Sequence, residues 1–417
     1  MKIGISINPS LAGGFGAMLI SLVAGTCMAL EPTVIHPDTG AVSANGQAPG
    51  STTITGGAGD TAGNDYLWLH VSGKCIETSP AAKQPNSDFI PMGVAYAPGP
   101  GGGHTYDYKE YLNWFKAQGF NSFRLVVWFM TFDGHSQYKS QADFMKKVND
   151  YWDPIIQYAK AANIYVIVDD HEFMNPPPAS PTGPAISQTD PNGTATVEKD
   201  GVTWTPATVA VWQKRWGMIA RKYADEPIVM AYELMNEPHD WGGDPEGLRN
   251  ALIGAIKEIR AYDKKHIILI PCDDWQHSRS LEPTWGNYLE TKGNPDPEQN
   301  AVFAFHEYTH DNDPPVVEAN IRSFMNKHNV PVLCTETGAS RWDGHTFSFG
   351  EENRDYQKEL LQSFSSLNVG WQLWDVQWAS AWPKMNGWPY QDLWAPVVRA
   401  NASPMPVPNN PATLKGR

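Results

Sequence analysis

Ile228-Val229-Met230-Ala231-Tyr232-Glu233-Leu234-Met235-Asn236-Glu237-Pro238-His239 is the stretch on which the reading turns. An apolar run of strand length, Ile228–Met235, gives way at once to Asn-Glu-Pro, and the proline forbids a regular continuation. A glutamate at such a boundary costs stability unless something partners it. A second stretch has the same design. The run beginning at Pro331 ends Leu333-Cys334-Thr335-Glu336-Thr337-Gly338. One acid at a strand end is usually a loop cap or the partner of an arginine. Two acids on two strands ask for a common purpose.

Working outward, strand-like runs lie at Phe89–Ala97, Ser122–Phe129, Ile164–Asp170, Ile228–Met235, His266–Pro271, Ala301–His306, Pro331–Glu336 and Gly370–Asp375. Helical patterns separate most of them: Tyr106–Gln118, Ala142–Ala162, Val209–Ala224, Pro245–Asp263, Pro315–Asn329 and Glu351–Leu367. Strands and helices in this alternation predict an α/β protein, a single (β/α)8 TIM barrel with its site at the C-terminal face of the strands. A doubly wound open sheet is the competing architecture. It would carry a glycine-rich phosphate loop after its first strand, and Pro98-Gly99-Pro100-Gly101-Gly102-Gly103 is too proline-rich and opens no helix. In a barrel, strands four and seven face each other across the mouth. Glycoside hydrolysis needs that pairing: two carboxyl groups flanking one bond, one protonated and one ionised.

With those motifs in hand, the chain resembles glycoside hydrolase family 5, within the clan of retaining barrel glycosidases. The resemblance covers about Tyr66 to Ala400. It rests on Asn236-Glu237-Pro238 after the fourth strand and on the order of other strand-end residues. These are Arg124 in the second strand, His171 after the third, His306 and Tyr308 on the sixth, Glu336 on the seventh and Trp374 on the eighth. The resemblance implies Glu237 as general acid/base and Glu336 as the nucleophile of a covalent intermediate, with carboxyl groups about 5–5.5 Å apart. It further implies that Arg124 and Tyr308 hold Glu336 as an oriented carboxylate, and that Asn236 bonds the sugar 2-hydroxyl. His171 and His306 would hold substrate hydroxyls or the acid/base, and Trp374 would be the floor under a sugar ring. An interior salt bridge from Arg124 to Glu233 is the competing role for that arginine. Glu233 would share a face with Glu237 in a regular strand, so either a bulge separates them or a second carboxylate lies deeper.

His306-Glu307-Tyr308-Thr309-His310 also fits the zinc-peptidase pattern H-E-x-x-H. That pattern binds metal only on a helix, where the histidines share a face. Here a strand precedes it, and Asp311-Asn312-Asp313-Pro314-Pro315 follows, so no metal is expected.

The composition fits this reading. The net charge is −14, and no basic cluster is visible, which excludes a nucleic-acid partner. The chain holds 17 Trp, a residue suited to flat apolar ligand faces such as sugar rings. Packing is the expectation for Trp114, Trp212 and Trp216 on helices. Trp378, Trp382 and Trp388 in a Gly/Pro-containing loop are candidates for further sugar contacts. Lys2 followed by the apolar run from Leu11 to Gly25 reads as a signal peptide over residues 1–29, cleaved after Ala29. A membrane anchor is disfavoured by the short, glycine-rich run, and lipidation at Cys27 by Thr26. A flexible Gly/Ser/Thr-rich arm (30–65), the catalytic barrel (66–400) and a Pro-rich tail (401–417) follow. The stretch from Phe173 to Pro206 is a long insertion after the third strand, either a cleft wall or a surface loop. Removing the leader leaves Cys75, Cys272 and Cys334, an odd set that cannot be a complete disulfide framework, and Cys272 and Cys334, at the ends of apolar runs, are expected to be buried free thiols. The expected protein is a secreted or periplasmic monomer that needs no cofactor and contacts no membrane once its leader is cleaved. Its expected activity is that of an endo-β-1,4-glucanase (cellulase). Mannanase, xyloglucanase and β-1,3-glucanase are alternatives with the same two glutamates. A non-catalytic glycan-binding barrel and the zinc peptidase are the alternatives of other classes.

Overall fold

The computed structural model describes residues 64–96, 108–131, 138–172, 197–198, 201–202, 206–239, 245–308, 312–338, 341–342, 347–348, 351–374 and 391–409. The expected leader, the 30–63 arm, most of the 173–206 insertion, His310 and the loop tryptophans Trp378, Trp382 and Trp388 lie outside them.

Eight parallel strands close into a ring: β1 (Met92–Tyr96), β2 (Ser122–Val127), β3 (Tyr165–Asp170), β4 (Val229–Glu233), β5 (Ile267–Pro271), β6 (Ala301–Tyr308), β7 (Val332–Gly338) and β8 (Trp371–Leu373). They follow one another in chain order. The ring shuts where β8 pairs with β1 through Trp371↔Met92 and Leu373↔Val94. Strands β2 to β7 are buried at every residue. Burial on both faces is why they read as continuous apolar runs instead of alternating ones. At the barrel floor, Gln372 Nε2 donates to Ser122 Oγ (2.8 Å) beside Gly93, where a Cβ would stand 2.2 Å from the Gln372 oxygen.

The surrounding helices are α1 (Tyr108–Gln118), α2 (Gln141–Lys147), α3 (Asp153–Ala162), α4 (Pro206–Tyr223), α5 (Pro245–Arg260), α6 (Asn287–Lys292), α7 (Pro314–His328), α8 (Glu351–Ser366) and α9 (Gln391–Asn401). Helix α5 shows why they form. It buries Leu248, Ala251, Leu252, Ala255, Ile256 and Ile259, a single apolar stripe at helical spacing. Each large aliphatic side chain so buried contributes about 1.5–3 kcal/mol. Trp212 and Trp216 of α4 are fully buried, and their indole N–H groups donate to Asp170 Oδ2 (2.6 Å) and Leu234 O (3.1 Å). Trp114 of α1 packs edge-on against Trp394 of α9. Packing is thus what these three tryptophans do.

The helix expected over Ala142–Ala162 is two helices joined by a π turn, Val148–Trp152. Pro154 has no N–H to give to the carbonyl four residues back, so the ladder loosens there. The structure adds α6 with its preceding π turn, Glu282–Gly286, between β5 and β6, too short to leave a helical period in the sequence. It also adds α9, which contains Pro396 and buries Trp394 against Phe120. An antiparallel hairpin, Leu69–Ser72 with Cys75–Thr78, turns at Gly73 (φ 56) and caps the strands' N-terminal ends. There Val71 N donates to Asn300 Oδ1 (2.8 Å), and Tyr165 Oη donates to Leu67 O (2.6 Å). Part of the tail is pinned too, since Lys83 N donates to Val407 O (2.8 Å). Cys75, Cys272 and Cys334 are free thiols, the last two buried, as expected. Among the described residues no helix is long and apolar enough to cross a membrane.

Candidate active site

Arg124 is the hub. It sits on β2 with a side chain that has no exposure to solvent. Its guanidinium spans three acceptors: Nε donates to Glu233 Oε2 (2.7 Å), Nη1 to Glu336 Oε2 (2.9 Å) and Nη2 to Asn236 Oδ1 (3.0 Å). Asp169 Oδ1 lies 3.1 Å from Nη2. Burial opposes the arginine's charge, but Asp169, Glu233 and Glu336 outweigh it and raise its pKa. The two roles weighed for Arg124, interior ion pair or holder of Glu336, are therefore performed together. A rigid fork of donors permits this where a point charge would not.

Strand β4 ends at Glu233, so no bulge is needed to separate it from Glu237. Glu233 is the deeper carboxylate, fully buried. Burial pushes its pKa up, but Arg124 and His306 outweigh burial and bring it down to about 2. Beyond the strand the backbone turns sharply, and Glu237 itself has φ 41, the left-handed region. Strain of that kind persists where surrounding contacts over-determine it.

Glu336 lies on β7 and accepts two side-chain bonds, one from Arg124 and one from Tyr308 Oη at Oε1 (2.5 Å). A register shift between Phe305 and His306 sets His306 beside Glu336 and Tyr308 beside Gly338. His306 reaches Glu237 Oε1 through Nδ1 (2.9 Å) and Thr335 Oγ1 through Nε2 (3.1 Å). Burial disfavours the imidazolium. Glu336, Glu233 and Glu237 together prevail and raise His306 to about 9. Glu237 is pushed up to about 7, by burial first and then by the nearby Glu336 charge, with His306 pulling the other way. One carboxylate oxygen of Glu237, one of Glu336 and a nitrogen of His306 all lie within 4.8 Å of one another.

On the β3 side, His171 Nδ1 is 2.8 Å from Asp169 Oδ2, and its ring stacks on Trp374 (centroids 4.9 Å apart, planes 8° apart). Burial, then Arg124, lowers its pKa to about 3, so the ring is neutral. Asn236 Nδ2 is buried and meets no hydrogen-bond partner among the described residues. The eight residues singled out from the sequence thus converge on one end of the barrel. Asp169, Thr335 and Gln276 join them without having been singled out. Gln276 Oε1 accepts from Glu237 N (3.0 Å), and its Nε2 lies 3.4 Å from both Glu233 Oε1 and Thr335 Oγ1. The available signal was the polar run Cys272-Asp273-Asp274-Trp275-Gln276 directly after β5.

The peptidase pattern fails on geometry. His306 and Glu307 belong to a strand, not a helix. His306 turns inward, while Glu307 accepts from Ser278 N (2.9 Å). Glu237, His306 and Glu336 are close enough to share a cation. Both ring nitrogens of His306 are already engaged, however, and its proton is held to about pH 9. That donor set suits proton transfer better than ligation. In the second group, Glu282 and Glu290 already hold the Lys327 ammonium (2.5 Å and 2.7 Å), and His328 Nε2 lies 2.8 Å from Glu282 Oε2.

A family model described as Cellulase (glycosyl hydrolase family 5) matches residues 90–380. Among solved structures, the chain is similar to a beta-glucanase from Saccharophagus degradans in complex with cellotetraose, 18% identical, covering 81% of this chain and 94% of that one, TM-score 0.58. It is similar also to a beta-mannanase from Streptomyces thermolilacinus, 19% identical, 74% and 85% covered, TM-score 0.51. The catalytic domain of Thermobifida fusca endoglucanase Cel5A is 18% identical, 74% and 85% covered, TM-score 0.51. At these identities the likeness speaks to the fold. "Probable glucan 1,3-beta-glucosidase A" of Aspergillus niger is 25% identical over 188 residues, 45% of this chain and only 38% of that protein.

Proposed function

The chain belongs to glycosyl hydrolase family 5, and on that premise we propose that it hydrolyses β-1,4-glucan with retention, Glu237 acting as acid/base and Glu336 as nucleophile. The observation that carries the proposal is the closeness of the two carboxylates, with oxygens within 4.8 Å across the barrel mouth. Retaining enzymes hold the pair about 5–5.5 Å apart, whereas inverting ones leave about 6.5–9.5 Å for a water. The partner sets support different roles. Glu336 receives one cationic and one phenolic donor, and Glu237 is pushed up to about 7, where it keeps a proton to give.

In the first step a Glu336 oxygen attacks the anomeric carbon as the glycosidic C–O bond breaks, and the Glu237 proton passes to the departing oxygen. In the second, Glu237, now a carboxylate, takes a proton from water. The water oxygen attacks the anomeric carbon and Glu336 leaves as a carboxylate, which restores the enzyme. The buried Asn236 Nδ2, without a partner among the described residues, is a donor suited to the sugar 2-hydroxyl. Trp374, whose ring stacks on His171, is a platform for a sugar face. The protein is proposed to be exported, a reading supported by the N-terminal apolar run behind Lys2.

The test is reducing-end release from a soluble β-1,4-glucan and a β-mannan, with chelator present, for wild type and Glu336→Ala. The anomer formed first is followed by NMR. Glucan cleavage that survives chelation, vanishes in the variant and yields the β-anomer is expected. A preference for mannan would change the substrate and keep the chemistry. Undiminished activity in the variant, or an α-anomer, would sink the assignment.

A further inference from the structure

Gln276 is fully buried on the loop after β5, among residues whose backbone is strained. Asp274, Trp275 and Gln276 have φ of 58°, 57° and 64°, three consecutive non-glycine residues in the left-handed region. Side chains other than glycine visit that region singly, because Cβ crowds the following carbonyl. A run of three is held only if its contacts require it. The turn at Asp274–Gln276 has such contacts. Trp275 N donates to Pro238 O (3.1 Å), and its ring stacks on His239 with centroids 3.8 Å apart. Asp274 Oδ2 accepts from Arg279 Nε (2.7 Å).

The turn delivers one side chain and one carbonyl to three other strands. Gln276 O accepts from His306 N (2.8 Å) on β6. Its Oε1 accepts from Glu237 N (3.0 Å) beyond β4, and its Nε2 approaches Glu233 on β4 and Thr335 on β7. Glu237 is itself left-handed, so its N–H is turned away from any strand ladder and Gln276 is the partner it meets. His306, the other group that holds Glu237, is anchored through its main chain by the same residue. From this geometry we propose that Gln276 is a positioning residue for the acid/base: it fixes the left-handed turn of Glu237 and aligns its carboxyl group with His306. The inference rests on the reading of Glu237 given above.

A misplaced acid matters only when the leaving group needs a proton. The experiment therefore compares kcat/KM on a soluble β-1,4-glucan with that on 2,4-dinitrophenyl β-cellobioside, whose phenolate departs unaided. Wild type, Gln276→Met, Gln276→Glu and Glu237→Ala are measured, each checked for folding by its thermal transition. Gln276→Met keeps the length and removes the acceptor. It should lose about 10²-fold on the glucan, the cost of an error near 1 Å, and stay near wild type on the dinitrophenyl substrate. Gln276→Glu keeps an acceptor for Glu237 N but sets a carboxyl oxygen 3.4 Å from Glu233 Oε1, so it should regain part of the loss only at acidic pH, where the new carboxyl is protonated. Equal losses on both substrates, or wild-type behaviour of Gln276→Met, would overturn the proposal. Glu237→Ala should show the same leaving-group split, more strongly. Without it, the acid/base reading itself fails and takes this inference with it, whereas a split in Glu237→Ala alone rejects only the role of Gln276.

Discussion

Arg124→Lys keeps a positive charge inside the barrel and removes the fork. Three nitrogens of Arg124 reach Glu233, Glu336 and Asn236 at 2.7, 2.9 and 3.0 Å. A lysine ammonium is one point on a flexible stem and cannot span acceptors on β4, beyond it and on β7. Two of the three bonds are lost. Bonds to charged groups contribute roughly 1.5–3 kcal/mol each, so the gross loss is about 3–6 kcal/mol. Water entering the vacated volume recovers part, which leaves roughly 2–4 kcal/mol in a urea-denaturation measurement. Glu336 would keep Tyr308 as its remaining donor, and kcat/KM should fall about 10²-fold from misorientation.

The pH dependence sharpens the expectation. Arg124 is the main reason Glu233 lies near 2 instead of at its ordinary 4.5. A carboxyl lowered on folding contributes stability above its unfolded value, and that stability is lost as pH falls through the folded one. Wild type should therefore lose this contribution between about pH 4.5 and 2. The lysine variant, with Glu233 less well held, has lost much of it already, so the stability gap should narrow across that window. Near-native stability and kcat/KM in Arg124→Lys, or a gap independent of pH, would refute the account of Arg124 as a three-way clamp.

Other expectations are open to simple assays. With Glu237 pushed up to about 7, kcat/KM on the glucan should fall as pH rises through that value. His306→Asn removes a cationic donor that lowers Glu237, so this limb should move to higher pH while the rate drops. A limb that does not move would mean His306 leaves the Glu237 proton alone. Glu307 is fully buried and raised to about 7 by burial, so folding favours its protonated form. Its stabilising contribution is complete below its unfolded value of 4.5 and is lost as pH rises to about 7. Glu307→Gln should accordingly gain on wild type by up to roughly 3 kcal/mol over that interval, read from paired denaturation curves. Trp374→Ala should raise KM on the glucan about tenfold, the worth of one aromatic stacking contact, with less effect on kcat. An effect confined to kcat would remove Trp374 from substrate binding.

The barrel was legible because its information is local. Runs such as Ile228–Met235 and Ala301–His306 are apolar on both faces, which only a strand covered on both sides requires. Helix α5 shows its buried stripe in its own spacing. Glu237 and Glu336 could be picked out because each breaks such a run at its end. Short elements were not legible: α6 is too brief for a period to show, and the π turn at Val148–Trp152 sits inside an unbroken helical pattern. Elsewhere the decision belonged to tertiary structure. That Arg124 serves Glu233 and Glu336 at once, that Glu233 lies beneath Glu237, and that Gln276 grips Glu237 N across 39 positions of sequence all depend on how loops from separate strands meet. Composition and periodicity describe one element at a time. A hydrogen bond between two loops is set by dihedral angles such as the φ of 41° at Glu237, and no residue pattern in either loop encodes that angle alone.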